Sequence, residues 1–391
     1  MQYKKMCGCF LIFLIVVFLP LPVWAAEGYE VTSEKLLEQL DTKQVNEFIE
    51  AVNREMGMDT LPPLNQKTVR ELLTKGVEFK LSTIVKNIAH YFFREVAAGF
   101  AMLGKLVFLA VLCALLLNLQ SSFENTAVGT LAYSVCFLFL AIIAMGSFHI
   151  AVQAGRTAIG NMVDFLVALL PLMLSLLVGV GALTSAALFQ PIMLFTANAV
   201  SMGVKDIIFP LMYLTAILEI VGHIADRYKV SNLTGTLKQI SIFTLGLGLT
   251  VFLGVLAIQG VSGGISDGIS LRAAKFATGT FIPIVGKMFA DAVDLVMGLS
   301  LLLKNVLGLF GAIVIVVLCA YPSAKILSLV FIFKIAGVLI QPVGEERMAK
   351  CLDGIGNNML LIFAAVATVA LMFFLAICIM IGAGSMAVML R

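Results

Sequence analysis

Long apolar runs dominate the chain from residue 97 onward, and short polar segments separate them. A helix rises 1.5 Å per residue, so about 20 apolar residues cross a hydrocarbon core of about 30 Å. The runs predict eight to ten membrane crossings, because the fourth is short and the seventh carries charges. The ten candidate spans are residues 97–118, 127–150, 162–183, 188–204, 207–225, 239–259, 281–303, 305–321, 324–341 and 358–382.

Composition agrees with this pattern. Of the 391 residues, 61% are hydrophobic and 13% are charged, and the mean hydropathy is +1.05. Soluble domains contain about 45–50% apolar and about 25% charged residues. The sequence lacks the short alternating segments of a membrane β-barrel, so the predicted fold class is all-α, a polytopic integral membrane helix bundle. The net charge of +3 is too small and too scattered for a nucleic-acid surface.

The first 25 residues have the organisation of a secretory signal peptide. Lys4 and Lys5 precede an apolar core, and Val23 and Ala25 occupy the −3 and −1 positions of a cleavage site. An uncleaved membrane anchor is the alternative. In both cases the chain from residue 27 onward leaves the cytoplasm.

Residues 26–96 are predicted to be an extracytoplasmic region of amphipathic helices. Val45, Phe48, Ile49 and Val52 recur at helical spacing, and a second apolar stripe follows the Leu-Pro-Pro-Leu break at residues 61–64. An apolar stripe on a helix must be buried against another surface. Packing of the two helices on each other, a partner domain and the membrane surface are the three candidates.

The remaining residues, 97–391, form the predicted transmembrane domain, which includes a glycine-rich amphipathic segment at residues 260–294. Gly260, Gly264 and Gly268 recur every four residues, a spacing that allows close helix contact. Charges follow these glycines. They either face water at the membrane surface or line a polar cavity or subunit interface, and these residues are Arg272, Lys275, Lys287, Asp291 and Asp294.

Lys334 raises the same question, because it lies too deep in an apolar run for its ammonium group to reach water easily. A charge in hydrocarbon costs about 2.5 to 3.5 kcal/mol on insertion scales unless it is paired or hydrated. A carboxylate partner for Lys334 is therefore expected, and Asp291 and Asp294 are the candidates.

Motifs for common catalytic chemistries are weak or absent. The Gly286-Lys287 pair lacks the glycine spacing and hydroxyl of a P-loop, and no HExxH sequence occurs. Gly264-Ile265-Ser266-Asp267-Gly268 matches the GxSxG pattern of serine hydrolases, but nothing places His149 or His223 beside Ser266. The seven cysteines lack metal-ligand spacing. No catalytic, cofactor-binding or metal-ligating residue is assigned.

The C-terminal half resembles the stage III sporulation protein AE family of endospore-forming Firmicutes. Four strings carry the resemblance: GVLAIQGVSGGISDGISLRAAKFATGTFIPIVGKMFADAVD, LLLKNVLGLFG, LIQPVGEERMAKCLDGIGNNM and AVATVALMFFLAICIMIGAGSMAVMLR. The resemblance extends over most of the chain and is strongest from about residue 180 onward.

This resemblance implies a multi-pass protein of the mother cell, located in the outer membrane around the engulfed forespore. It implies partners among the other stage III sporulation A-operon proteins, including a separate ATPase, and in the assembly of stage II sporulation protein Q. The implied role is a non-enzymatic subunit of a channel that sustains forespore development after engulfment. The family has no established catalytic residues to carry over.

A stand-alone secondary transporter or permease is the alternative function. Transporters also place charged residues and interrupted helices at membrane depth. A serine protease is a more distant hypothesis, and a scaffold without a conduit is also consistent with the sequence.

Overall fold

A computed structural model describes most of the chain, and every regular element in the part that it describes is a helix. The described residues are 42–56, 61–75, 81–122, 126–224, 231–281, 285–343 and 346–389. The predicted signal peptide, residues 1–25, lies outside them. The all-α class predicted from the sequence is confirmed for the described part.

Nine α-helices are described. They are α1 (Lys43–Met56), α2 (Gln66–Lys75), α3 (Leu81–Ser122), α4 (Thr126–Gly179), α5 (Leu183–Met202), α6 (Phe209–Ile224), α7 (Ser231–Phe281), α8 (Val285–Ile340) and α9 (Glu346–Met389). A π-helical turn, Gly203–Ile208, joins α5 to α6 without a loop, and a short 3-10 turn, Gln341–Val343, follows α8.

Several spans that the sequence predicts separately are joined in the structure. The predicted span 127–150 and most of the predicted span 162–183 lie in the single helix α4. Helix α8 likewise contains most of the three predicted spans between 281 and 341. The polar residues between these spans interrupt the hydropathy but not the helix, because they are compatible with helical backbone. Within the described residues, five helices are long and apolar enough to cross a membrane, so the count of eight to ten crossings is not confirmed.

Polar groups at the predicted breaks are satisfied by neighbouring helices. Pro210 has no N–H to donate, which favours a widened π turn just before it. Arg156, inside α4, donates from Nη2 to the carbonyl oxygen of Lys205 in this turn at 2.7 Å. Arg156 thus lies within a continuous helix, and its guanidinium group supplies a hydrogen-bond donor to a carbonyl oxygen of the π turn.

The centre of the bundle is formed by α8 and α9, with α4 beside them. Two-thirds (67%) of the most apolar window of α8 and of α9 is buried, compared with 22% for α7. Glycines allow this close packing, because a Cβ at Gly311 would lie 2.6 Å from Leu169 of α4. Helix α7 is therefore an outer helix, with most of its surface free of contacts within this chain.

Two asparagines shape the α1–α2 region. Asn46 donates to the Leu64 carbonyl at 3.1 Å and accepts from the Leu64 N–H at 2.7 Å. Asn53 makes the same pair of bonds with Leu61, at 2.8 and 3.1 Å. Asn65 then caps α2 by accepting from the Thr68 N–H at 2.9 Å. The segment between the helices is thereby held against α1.

The apolar stripes of α1 and α2 are covered within the chain. Val45, Ile49 and Val69 are almost fully buried, and the Phe48 and Phe165 ring centroids lie 5.6 Å apart. Helix α1 packs on α4, and α2 contacts α8. The predicted domain boundary at residues 96/97 falls within α3.

A buried carboxylate positions the turn between α4 and α5. Gly181, with φ of 84°, ends α4, and the Ala182 N–H bonds the Leu177 carbonyl at 2.9 Å, as in a Schellman motif. Ala182 offers α5 no side-chain cap. Instead Asp267 of α7 accepts from the Thr184 N–H at 2.7 Å and from the Ser185 N–H at 2.9 Å.

Asp267 therefore acts as the N-cap of a helix that is more than eighty residues away in sequence. It is only 1% exposed, and its charge also interacts favourably with the positive end of the α5 dipole. This contact fixes α7 against the α4–α5 turn.

Replacing Asp267 with Ala should destabilise the protein by about 2 kcal/mol, because two buried N–H groups lose their acceptor. Thermal unfolding of the purified protein in detergent measures the effect. Asp267→Asn keeps one acceptor oxygen and should be intermediate. Ser266→Ala, at an exposed neighbour, is the matched control and should leave the melting temperature unchanged. Equal melting temperatures for Asp267→Ala and Ser266→Ala would contradict the capping role.

Candidate functional site: a charged cavity at one end of the bundle

A cavity of about 370 Å³ opens where α6 and α8 end and α7 and α9 begin. We call it the charged cavity. Its lining contains three acidic and three lysine side chains, together with His223, Asn357 and two glycines that permit close helix packing. The charged lining residues are Glu219, Lys238, Lys334, Glu346, Lys350 and Asp353.

Lys334 of α8 bonds two side chains of α9. Its Nζ donates to Asp353 Oδ1 at 2.5 Å and to Asn357 Oδ1 at 2.8 Å. The Asn357 amide donates to the other Asp353 oxygen at 3.0 Å, which closes a three-membered network. The expected carboxylate partner therefore exists, but it is Asp353, and the candidates Asp291 and Asp294 were wrong. Helix α9 packs beside the end of α8 that carries Lys334, whereas Asp291 and Asp294 lie near its other end.

Glu219 of α6 and Lys238 of α7 form a second pair across the cavity, with Nζ to Oε2 at 3.0 Å. Both side chains are less than one-fifth exposed, at 17% and 18%. Gly354 of α9 faces this pair, since a Cβ there would lie 2.6 Å from Glu219 Cδ. The Glu219–Lys238 pair thus joins α6 and α7 and packs directly on α9.

The chemistry of the charged cavity suits ion pairing and hydration. Its three lysines each pair with a carboxylate, because Lys350 also contacts Glu346 at 2.7 Å. The His223 Nδ1–H donates to the Glu219 carbonyl at 2.6 Å, so this nitrogen is engaged locally. The arrangement links four helices at one end of the bundle and provides a polar space for water or a small polar guest.

Breaking the more buried pair should have a larger effect than breaking the exposed one. Glu219→Ala leaves the Lys238 ammonium group partly buried without its carboxylate, and we expect a loss of about 1–3 kcal/mol. The control Glu346→Ala removes the acid of a pair that is mostly in water and should change the melting temperature little. Comparable melting temperatures for the two variants would show that the Glu219 pair does not hold these helices together.

Lys304 of α8 is fully buried near the opposite end of the bundle. Its Nζ donates to the Ile381 carbonyl of α9 at 2.7 Å, and the Ser385 hydroxyl donates to the same oxygen at 3.2 Å. Gly384 leaves room for the ammonium group, because a Cβ there would overlap Nζ. The sequence contained a signal for this site, a single lysine in a long apolar run, but it could not show which backbone group the lysine meets.

The structure separates the sequence-predicted site residues into three groups. Gly260, Gly264 and Gly268 are all buried, and a Cβ at Gly260 would lie 2.9 Å from Ile379 of α9. Arg272 is exposed and Asp294 is partly buried. The side chains of Lys275, Lys287 and Asp291 lie outside those that the structure describes.

Neither of the two candidate histidines lies beside the serine of the GxSxG match. Ser266 is exposed, while His149 contacts the Tyr213 hydroxyl at 2.6 Å and His223 lies in the charged cavity. The informative residue of this motif is its neighbour Asp267, which sequence reasoning passed over. Glu219, Asp353 and Asn357 were also missed, because their meaning depends on which helices adjoin.

The cysteines and the possible metal ligands in the described part of the chain show no sign of a redox or metal site. Cys113, Cys136, Cys319 and Cys351 are buried and form no disulfide, and Cys378 is exposed. Cys351 lies inside α9. The described residues contain no group of three His, Cys, Asp or Glu side chains arranged to hold a metal ion.

Comparison with known proteins places this architecture in one family. The family model described as stage III sporulation protein AE matches residues 65–384. The chain belongs to the stage III sporulation protein AE family. Stage III sporulation protein AE of Bacillus subtilis (strain 168) is 40% identical over 366 residues, which cover 94% of this chain and 92% of that protein. No solved structure matches the chain. The matched region includes the charged cavity, Asp267 and Lys304, and the family supports a role in sporulation.

Proposed function

We propose that this protein is a non-enzymatic integral membrane subunit of the channel complex that links mother cell and forespore. In this proposal it is a multi-pass protein of the outer forespore membrane. The membership of the sporulation family carries the proposal. Five helices long and apolar enough to span a membrane are consistent with a membrane-embedded subunit.

The distribution of polar groups supports a structural role within such a complex. Lys304 bonds a backbone carbonyl, Asp267 caps a helix, and the charges of the cavity form pairs across helices. Each of these groups joins elements of the bundle. Energy for transport would then come from a separate ATPase subunit, and the other stage III sporulation A-operon proteins and the stage II sporulation protein Q assembly are the expected partners.

The charged cavity favours a second candidate function, a stand-alone transporter. Its volume of about 370 Å³ could accommodate a small polar solute. Reconstitution separates the two functions. A transporter moves or binds a solute as a purified protein in vesicles, whereas a complex subunit is inert alone and co-purifies with its partners from sporulating cells.

Deleting the gene should stop spore development after engulfment, because the forespore would lose its connection to the mother cell. Counts of heat-resistant spores, together with microscopy of engulfment, measure this result. Expression of the full chain from a second locus is the control and should restore the spores. Normal numbers of heat-resistant spores from the deletion strain would refute the proposed function.

A further inference from the structure

A set of ring and glycine contacts defines one level across the bundle. Phe48 of α1 packs on Phe165 of α4. One turn further along α4, Leu169 faces Gly311 of α8, and a Cβ at this glycine would also lie 3.4 Å from Ile377 of α9. Helix α1 is therefore level with the part of α9 that lies one turn before Ile377.

The same level continues to the outer helix α7. Phe373, one turn before Ile377, contacts Phe252 of α7 with ring centroids 6.1 Å apart. Helices α4 and α9 run in the same direction, because Gly155 faces Ile362 while Gly311 links Leu169 to Ile377. Phe48 on one side of the bundle and Phe252 on the other are thus at about the same height.

This height is the middle of an apolar face. Exposed aliphatic and aromatic side chains follow one side of α7 from Leu233 to Ile269, about 54 Å at 1.5 Å per residue. A hydrocarbon core of about 30 Å that takes up this face must include its centre, near Val251. Helix α1 consequently lies at membrane depth, which departs from the extracytoplasmic location that the sequence predicts for residues 26–96. The exposed apolar side chains are Leu233, Ile240, Phe243, Leu247, Val251, Val255, Ile258, Val261, Ile265 and Ile269.

The outer surface of α1 is nevertheless charged. Its side chains form two pairs along the helix, Lys43 with Glu47 at 4.0 Å and Glu50 with Arg54 at 3.3 Å, and all four are between 66% and 80% exposed. Besides the exposed apolar Val85 and Phe93 of α3, helix α2 and the first turns of α3 carry exposed charges and a histidine. These are Lys67, Arg70, Lys86, His90 and Arg94.

Lipid cannot cover such a surface. At the centre of a bilayer each charge costs about 2.5 to 3.5 kcal/mol on insertion scales unless it is paired or hydrated. Even the paired charges of α1 would lose their hydration in lipid, so this face needs water. The opposite face, on α7, carries large apolar side chains at the same height and suits lipid. At this depth the bundle therefore has one side that suits water and an opposite side that suits lipid.

We propose that the charged face formed by α1, α2 and the first turns of α3 lines an aqueous conduit through the membrane. The inference rests on the proposed channel function and deepens it, because it assigns the conduit wall to this subunit. One chain presents the charged face on one side only, so other chains of the assembly complete the wall. The exposed charges of both signs suit a hydrated path for polar molecules.

Cysteine substitution at two positions of equal height tests this inference. Glu50→Cys probes the charged face, and Val251→Cys is the matched control on α7. Both are made in the full chain with its native cysteines replaced, in membranes from sporulating cells. A water-soluble maleimide and a lipid-soluble photoactivated probe are applied to each.

We expect the maleimide to modify Glu50→Cys at least about tenfold faster than Val251→Cys, because it reacts with the thiolate, which forms in water. The lipid-soluble probe should give the reverse preference. Protection of Glu50→Cys until detergent is added would mean that protein covers the face, and it would overturn the inference. Rapid maleimide labelling of Val251→Cys would place α7 outside lipid and would also overturn it. Either result leaves the proposed role in sporulation intact if the deletion strain still fails to form spores.

Discussion

Hydrocarbon offers no hydrogen-bond partner, and this constraint explains where three polar side chains within the bundle are placed. Asp267 lies within a glycine-rich helix, yet its two carboxylate oxygens each accept a backbone N–H from α5. Lys304 is fully buried, yet its ammonium group reaches a carbonyl of α9. Arg156 compensates a π turn in the same way. Each polar side chain satisfies a backbone group on a neighbouring helix and so specifies which helices adjoin.

Two further sets of charges occur among the described residues. One set forms the charged cavity at the end of the bundle, where Lys334 and Lys238 pair with carboxylates of adjacent helices. Another set lies on α1 to α3, opposite the apolar face of α7. Close packing through glycines such as Gly311 joins these two sides. The molecule is therefore asymmetric around its long axis, a property that an isolated lipid-embedded bundle does not need and that a channel subunit does.

Hydropathy and periodicity were sufficient to predict an all-α membrane protein and the apolar stripes of the N-terminal helices, whose residues Val45 and Ile49 are buried as expected. They were not sufficient to count helices, because Arg156 interrupts an apolar run without interrupting α4. Hydropathy and periodicity also could not identify the partner in an ion pair. Lys334 needed a carboxylate, but the choice of Asp353 depends on α9 packing beside α8. In the sequence, Asp267 is part of a GxSxG pattern. Only the structure, which places its carboxylate beside the first residues of α5, shows that it caps that helix.

In the proposed conduit, lipid and water contact opposite sides of this bundle at the same depth. Cryo-electron microscopy of the assembly, isolated from sporulating cells in a lipid nanodisc, tests it most directly because the bilayer is visible as a band of density. We expect this band to cover α7 around Val251 and solvent to fill the space beside Glu50. A lipid band that surrounds α1, or one that leaves α7 uncovered, would contradict it.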